Sequence, residues 1–285
     1  MPNSNKNLSK RFLAEPGKRL KLDHHDPDDS AGISNKRTYE AILARDIQRL
    51  FDQQTLLWAS REYAVLVVLQ GPDAAGKDGT IRHVMTGLNP EACRVTPFKV
   101  PSEEESRHDF LWRIHKAVPM RGEIGVFNRS HYEDVLVARV HKLVPKHVWS
   151  ARYDQINQFE KMLVKSKVVI LKFFLNISKK EQEQRLEARL DDKSKIWKLS
   201  PSDFAEHQYW DQYREAYQDA ITECSTDRAP WYVIPSNKKW FRNLAVAQIL
   251  ADTLTSLKMK YPSAAFDVSE LRKAMRPRMH TDKHV

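Results

Sequence analysis

Stretches with the character of strands alternate with longer stretches of helical periodicity along this chain of 285 residues. The strand-like stretches are residues 64–70, 94–100, 124–127, 168–175 and 231–234. The first of them is almost entirely apolar, which is typical of a strand buried on both faces of a parallel sheet. The alternation therefore predicts an α/β fold in which helices flank a parallel sheet.

Composition and pattern divide the chain into three parts. Residues 1–36 mix basic and acidic segments, and we expect a flexible N-terminal arm there. Residues 37–265 are long enough for one α/β domain, which begins with an amphipathic helix. Serines at 102 and 178, each three residues before a glutamate, predict capping boxes at two of its helix starts. Residues 266–285 form a basic, peripheral tail.

The segment directly after the first strand is the strongest candidate for a binding site. It reads GPDAAGKDGT and fits the phosphate-binding pattern G-x-x-x-x-G-K. Between a strand and a helix start, backbone N–H groups and the helix dipole favour an anion, so we expect phosphate to bind there. The alternative is a glycine-containing turn with a surface lysine. The predicted contacts are Gly71, Ala74, Ala75, Gly76, Lys77, Asp78, Gly79 and Thr80.

Two acids distinguish this loop from the common version. Asp78 stands where a Ser or Thr usually holds Mg²⁺, and Asp73 lies inside the loop. A second polar cluster follows the strand at 124–127, where P-loop folds usually present an Asp to Mg²⁺ but this chain has Asn128. Arg129 could clamp a phosphoryl oxygen, and Glu133 could supply the missing carboxylate. The alternative is a charged helix start with acids in its first turn.

Two arginines one helical turn apart form a third candidate cluster. Arg185 and Arg189 share a helix face, where their charges repel unless an anion lies between them. The alternative is a solvated face on which Glu181 pairs with Arg185. A basic, tryptophan-containing segment follows, and the S-P-S-D motif at 200–203 opens another helix. This order predicts a mobile lid at about residues 185–210 that closes over the transferring phosphate.

Charge and cysteine content narrow the classes of function. A formal net charge of +10 points to a polyanionic partner, which could be nucleic acid, an anionic membrane or a phosphate-rich substrate. Two cysteines provide neither a metal-binding spacing nor a disulfide framework, so we expect a reducing compartment. No apolar run approaches the length of a membrane span, and we expect a cytoplasmic protein.

Several of these motifs occur together in one known family. The loop G-x-D-x-x-G-K-x-G, the block NRSHYED at 128–134, the arginine pair and WKLSP at 197–201 resemble the second family of polyphosphate kinases. The resemblance runs from about residue 39 to 262. It implies a thymidylate-kinase-like P-loop fold with a helical lid, Mg²⁺-dependent phosphoryl transfer between inorganic polyphosphate and a nucleotide, and a homo-oligomer, either dimer or tetramer.

The resemblance also bears on substrates and residue roles. Asn128 together with Glu133 resembles the subgroup that phosphorylates both AMP and ADP, so one protein would carry AMP to ATP. Lys77 and Arg129 match the family's phosphate-binding positions, and Asp73 is the best remaining metal ligand or acceptor-orienting group. We add Glu133 as a second ligand for Mg²⁺, with Mn²⁺ as an alternative ion. Arg185 and Arg189 complete the catalytic candidates, and Lys99 is a candidate nucleotide contact.

Two other functions stay open at this point. An ATP-dependent nucleotide kinase would use the same loop, although Asp78 in place of Ser or Thr argues against it. A non-enzymatic polyanion-binding protein would explain the charge but does not require a complete P-loop. We expect polyphosphate, AMP, ADP and ATP as partners rather than nucleic acid or a membrane.

Overall fold

The computed structural model describes residues 7–193 and 205–279, with side chains described as far as Met275. Six strands form one sheet. They are β1 (Leu13–Ala14), β2 (Ala64–Gln70), β3 (Cys93–Pro97), β4 (Ile124–Asn128), β5 (Val168–Asn176) and β6 (Trp231–Pro235). The α-helices that lie wholly within the described residues are α1 (Leu8–Phe12), α2 (Lys36–Ser60), α3 (Lys77–Val84), α4 (Glu103–Ser106), α5 (Trp112–Ala117), α6 (Glu133–Val140), α7 (Lys146–Lys165), α8 (Lys179–Leu190), α9 (Trp210–Cys224), α10 (Lys239–Ser256) and α11 (Val268–Met279).

The strand order of the sheet is β1-β6-β5-β2-β4-β3. The five strands from β2 to β6 pair in parallel, and only β1 is antiparallel, against β6. This confirms the predicted α/β sheet with helices on its faces. The strand predicted at 94–100 is shorter, because β3 ends at Pro97, opposite the last residue of β4.

The sheet separates two hydrophobic cores, because successive strand residues point to opposite faces. Residues 65, 67 and 69 of β2 join the core that includes α2 and α10, whereas residues 64, 66 and 68 join the core that includes α6, α7 and α9. Every residue of β2 is buried. A strand covered on both faces in this way explains the continuous apolar run in the sequence.

The N-terminal segment differs from the flexible arm that we predicted for residues 1–36. Leu8 and Phe12 of α1 are buried, and the ring of Phe12 packs edge-on against Phe241 of α10 at 5.7 Å. Strand β1 extends the sheet next to β6, and the Leu20 backbone N–H donates to Thr222 Oγ1 at 3.0 Å. The sequence shows few apolar residues here, but most of them are buried. Residues 1–6 lie outside the described part.

The helix starts follow the predicted caps with one difference. Ser102 and Glu105 form the full capping box of α4. Ser178 caps α8 by accepting from the Glu181 N–H, but the Glu181 carboxylate bonds to an arginine of its own helix instead of returning to the cap. Residues 194–204 lie outside the described residues, and with them the WKLSP motif, the S-P-S-D helix start and the centre of the predicted lid. No helix in the described part of the chain is long and apolar enough to cross a membrane.

The topology brings the two strongest sequence motifs to one edge of the sheet. Strands β2 and β4 are parallel neighbours, with Leu69 opposite Asn128. The carboxyl end of β2 leads into the loop 71–76, and the carboxyl end of β4 leads into Arg129. Ligand sites in open parallel sheets form at this edge.

Candidate active site

The loop at 71–76 connects β2 to α3 and ends in a buried lysine. Lys77, the first residue of α3, donates from Nζ to the carbonyl oxygens of Gly71 at 2.7 Å and Pro72 at 3.2 Å. The pKa of Lys77 is lowered to about 8, mainly by burial and then by the charge of Arg129, although nearby acids act in the opposite direction. The lysine is therefore held under the loop as a cation that readily loses its proton. This differs from the alternative of a surface lysine.

Arg129 joins the loop to the start of α6. Its Nη2 lies 2.6 Å from Asp73 Oδ1, and its Nη1 lies 3.3 Å from Glu133 Oε2. The Arg129 backbone has a φ of 64°, and its N–H donates to Leu69 O at 3.1 Å. A left-handed conformation costs a non-glycine residue about 1–2 kcal/mol. The backbone bends sharply here, and the guanidinium reaches both carboxylates.

Asp73 is ionised in this arrangement. Burial would raise the pKa of its carboxyl, but the charges of Lys77, Arg129 and Arg189 outweigh burial and hold the pKa below its ordinary value. The Lys77 Nζ lies 4.0 Å from Asp73 Oδ1. The three predicted residues Asp73, Lys77 and Arg129 therefore meet in one cluster, together with Glu133.

Asn128 has a partner that the sequence did not indicate. Its Nδ2 donates to Asp78 Oδ1 at 2.8 Å, which links the end of β4 to the first turn of α3. An aspartate at position 128 would place a second carboxylate against Asp78, and like charges at that distance repel. The neutral amide removes this repulsion. Asp78 and Asn128 thus belong to one contact at the mouth of the loop.

The other residues predicted to contact phosphate can do so through their backbone N–H groups rather than through their side chains. Thr80 Oγ1 donates to Gly76 O at 3.1 Å, so this hydroxyl faces the helix backbone. Ala74 has a φ of 63°, and its carbonyl accepts from an arginine of α8. N–H groups in the first turn of a helix lack intrahelical partners and are available to an anion. The arrangement is compatible with the phosphate contacts predicted for residues 71–80.

Arg185 does not have the role that we predicted from its spacing. Its Nη1 donates to the carbonyls of Ala74 and Ala75, at 3.0 and 3.2 Å, and its Nη2 donates to the carbonyls of residues 236 and 237, both at 2.7 Å. Its Nε donates to Glu181 at 2.8 Å. A guanidinium has five N–H donors, and protein acceptors occupy all of them. Arg185 therefore holds the back of the loop, and the predicted contact with phosphate is corrected to a structural one.

Arg189 and Arg185 lie on one helix but act differently. Arg189 is half-buried, and its charge lowers the pKa of Asp73, which places it on the side of the loop where Asp73 lies. It stays a candidate for contact with phosphate.

Lys99 is exposed and lines an open cleft of about 450 Å³ beside β3. Its carbonyl accepts from Arg113 at 2.8 Å, and its proposed contact with nucleotide is untested.

Arg242 of α10 was not found from the sequence. It is almost fully buried behind the loop, and its Nη1 donates to Ala75 O at 3.0 Å. A Cβ on Gly76 would lie 1.8 Å from this Nη1, and one on Gly79 would lie 3.1 Å from Nη2. Gly76 also has a φ of 103°. The close approach of Arg242 and the positive φ therefore require glycine at position 76, whereas at position 79 a side chain would only crowd the guanidinium.

The pKa of Arg242 is lowered to about 10, mainly by burial and then by the charge of Arg185. No carboxylate among the described residues lies within ion-pair distance of it.

Tyr217 of α9 is a second residue beside the site that the sequence analysis did not identify. It is buried against the cluster, and burial together with the charge of Glu133 raises its pKa far above the ordinary value, although Arg129 and a hydrogen bond with the Gly71 backbone act in the opposite direction.

Carboxylates that could hold a metal are few. No cluster of three or more His, Cys, Asp and Glu residues suited to an ion occurs in residues 7–193 and 205–279. Asp73 and Glu133 face the same guanidinium from two sides. Mg²⁺ keeps several waters and is commonly bound by one or two carboxylates plus substrate phosphates, so this pair fits it.

Comparison with known proteins agrees with the geometry. A family model described as polyphosphate kinase 2 matches residues 33–262. The AMP/ADP-polyphosphate phosphotransferase of Meiothermus ruber is 50% identical over 257 residues, which cover 89% of this chain and 95% of the relative. The ADP-polyphosphate phosphotransferase of Rhodopseudomonas palustris is 44% identical over 266 residues, covering 89% and 92% of the two chains.

A solved structure extends this comparison to three dimensions. The crystal structure of polyphosphate kinase 2 from Arthrobacter aurescens resembles this chain with a TM-score of 0.91 at 42% identity, covering 95% of this chain and 97% of the other. The residues that the family model matches include β2 to β6, the phosphate loop and the Arg129 cluster. The chain therefore belongs to the polyphosphate kinase 2 family.

Proposed function

We propose that this protein transfers phosphoryl groups between inorganic polyphosphate and the nucleotides AMP and ADP, carrying AMP to ADP and ADP to ATP reversibly. One observation carries the proposal. The buried Lys77 and the Arg129 guanidinium converge on Asp73, at 4.0 and 2.6 Å, beside a helix N-terminus. Such an arrangement suits a phosphate chain with charge on many oxygens.

The choice of acceptors is supported by the relatives. The Meiothermus ruber relative carries both AMP and ADP in its name, and it shares half of its aligned residues with this chain. The residue type at position 128 supports the same choice, because an amide rather than a second carboxylate lies against Asp78 at the mouth of the loop. An extra negative charge there would repel the phosphates of an incoming nucleotide.

The reaction needs no strong base. An oxygen of the acceptor phosphate forms a bond to the terminal phosphorus of polyphosphate, and the bond from that phosphorus to the bridging oxygen breaks. The bridging oxygen keeps the electron pair and becomes the new end of a chain shortened by one phosphate. A phosphomonoester loses its second proton at about pH 6, so the acceptor is already an anion at neutral pH. Arg129 and Lys77 neutralise the equatorial oxygens, and positioning supplies most of the rest.

Asp73 and Glu133 are the residues that we propose to hold Mg²⁺, or Mn²⁺ in its place. When bound, the ion would neutralise charge on the phosphates and fix their orientation. Asp73 suits this role because its lowered pKa keeps it ionised at neutral pH.

A homo-oligomer and a reducing, cytoplasmic location are further proposals. Free thiols at Cys93 and Cys224 support the location, and light scattering on the purified protein tests the assembly.

The test of the proposed function varies both the phosphate donor and the nucleotide acceptor. Purified protein is incubated with Mg²⁺, AMP or ADP, and either polyphosphate or ATP, and the nucleotides are separated by chromatography. We expect ADP and ATP to form from polyphosphate. The variant Lys77→Met should abolish transfer, whereas the matched control Lys165→Met, at an exposed position of α7, should not. Absence of product with either acceptor contradicts the proposal, and product from ATP alone as donor makes the protein an ordinary nucleotide kinase.

A further inference from the structure

A cluster of buried charged and polar side chains lies behind Arg129. Lys172 projects from the middle of β5, and neither its side chain nor that of His131 is exposed. The Lys172 ammonium forms an ion pair with Glu160 of α7, and it donates to the Tyr132 hydroxyl at 2.9 Å and to Cys224 O at 2.7 Å. Tyr132 donates to Glu160 Oε1 at 2.8 Å, and His131 Nε2 lies 3.3 Å from the same oxygen.

Stability alone is a weak reason for such a cluster. Removing two charges from water is costly, and well-packed apolar residues in place of a buried ion pair are often neutral or stabilising. Burial would raise the pKa of Glu160, but the charge of Lys172 and the hydrogen bonds from His131 and Lys172 hold it below its ordinary value, so the carboxylate stays ionised. The fold therefore keeps a full ion pair inside an otherwise apolar core.

The position of the cluster in the chain indicates what it does. His131 and Tyr132 lie between Arg129 and Glu133, the two residues whose side chains meet at 3.3 Å in the site. The side chains of His131 and Tyr132 enter the buried cluster. The segment is also held from the other side, because Ser130 Oγ accepts from Gln70 Nε2 at 3.0 Å, one residue before the phosphate loop.

These anchors act on a backbone that would otherwise relax. Arg129 has a φ of 64°, which is unfavourable for a residue with a side chain and persists only where the surroundings fix it. The anchoring of His131 and Tyr132 in the core restricts the backbone of the turn from β4 to α6. In this turn the Arg129 guanidinium lies 2.6 Å from Asp73.

We infer that Glu160 and Lys172 are positioning residues, which fix Arg129 and Glu133 for phosphoryl transfer through the side chains of His131 and Tyr132. The inference rests on the proposed function only in taking Arg129 to contact the transferring phosphate. Neither Glu160 nor Lys172 touches the site itself. Their effect on the reaction therefore passes through the segment 129–133.

The test replaces the ion pair by apolar residues in the full chain. The double variant Glu160→Leu/Lys172→Met should stay folded, as seen by circular dichroism. Its kcat should fall about 10- to 100-fold, because small displacements of a catalytic group have effects of this size, while the KM for AMP changes less than about threefold. The matched control is Asp46→Asn, which alters a buried carboxylate of α2 that pairs with Arg45 and Arg49. We expect its kcat per folded molecule to equal that of the original protein.

Two further measurements separate positioning from a general loss of structure. In an Arg129→Ala background, the double variant should reduce kcat by less than about threefold, since coupled residues are not additive. Hydrogen exchange followed by mass spectrometry should show the backbone amides of residues 129–135 exchanging at least about tenfold faster in the double variant than in Asp46→Asn.

Hydrogen exchange can be measured even if the original protein does not use polyphosphate. Absence of turnover would therefore contradict the proposed function, whereas unchanged exchange would contradict this inference. If the double variant does not fold, Tyr132→Phe, which removes one hydroxyl of the cluster, should show the same faster exchange and a lower kcat. Unchanged exchange at 129–135 overturns the inference. So does an unchanged kcat in a folded variant, or a full second loss of kcat in the Arg129→Ala background.

Discussion

The lowered pKa of Lys77 predicts that binding of a phosphate chain is coupled to proton uptake. The shift from 10.5 to about 8 means that the ligand-free site disfavours the ammonium relative to the amine by about 3 kcal/mol more than water does. A phosphate chain favours the ammonium form, so the pKa rises when the ligand binds. Affinity should therefore fall about tenfold between pH 7 and pH 9, as the free lysine loses its proton.

Titration calorimetry with a polyphosphate of defined length measures this coupling directly. In two buffers of different ionisation enthalpy, the original protein should take up about 0.9 proton per site at pH 9 and about 0.1 at pH 7. The control is Lys77→Arg, whose guanidinium does not titrate in this range, so that the ligand's own proton changes appear in both proteins. An equal proton uptake by the two proteins at pH 9 would refute the reasoning.

The same shift has a consequence for stability that can be measured without ligand. A lysine whose pKa is lowered in the folded state destabilises the fold below pH 8, where it must stay charged. Between pH 8 and about 10.4 the unfolded chain binds more protons than the native one, so stability rises with pH in this window. Lys77→Met should remove this rise, by up to about 3 kcal/mol in urea denaturation. A stability difference that changes with pH in the opposite direction would contradict the assignment.

Three other changes test the geometry of the loop. Gly76→Ala would place a Cβ 1.8 Å from the Arg242 guanidinium at a φ of 103°, and urea denaturation should show a loss of about 2–4 kcal/mol. Adding Arg242→Ala should restore part of that loss; no recovery would mean that the clash is not the cause. Arg185→Lys loses the planar guanidinium that donates to four carbonyls. This change should lower the free energy of unfolding by about 2–4 kcal/mol and raise the KM for polyphosphate. Asp73→Asn leaves Arg129 and Lys77 with one carboxylate fewer, so it should lower the melting temperature, and it should lower kcat about 10²- to 10³-fold. A kcat per folded molecule within threefold of the original would exclude a catalytic role for Asp73.

The sequence predicted those parts of the fold and site that are local in the chain. The apolar run of β2 is followed directly by the glycine loop and a helix start, so one continuous segment specifies strand, loop and helix. Arg129 was found in the same way, because it directly follows the strand that ends beside the loop. The sheet then brings the two segments together, as the parallel order of β2 and β4 requires.

What the sequence could not give is contact between distant segments. Arg185 and Arg189 show the same spacing, but only the structure shows that the first faces backbone carbonyls and the second lies near Asp73. Arg242 lies more than 160 residues beyond the loop it touches, and no local pattern connects them. Lys172 stands in an apolar strand, and its partner Glu160 lies on the preceding helix, where it looks like an ordinary surface acid.

The two acids at the centre of the site raise the question of why a protein for polyanions places carboxylates among its cations. Arg129 lies between Asp73 and Glu133, and Lys77 faces Asp73, so in the ligand-free protein these cations are held apart and oriented by the acids. An unpaired cation in a buried site would be costly or would lose its proton.

Among the described residues around the loop, five cations surround four acids. The cations are Lys77, Arg129, Arg185, Arg189 and Arg242, and the acids are Asp73, Asp78, Glu133 and Glu181. Because two of the arginines are bonded mainly to carbonyl groups behind the loop, their charge is not cancelled by the acids in front. The acids therefore fix where the cations lie, and the buried arginines leave the site with the net positive charge that attracts phosphate.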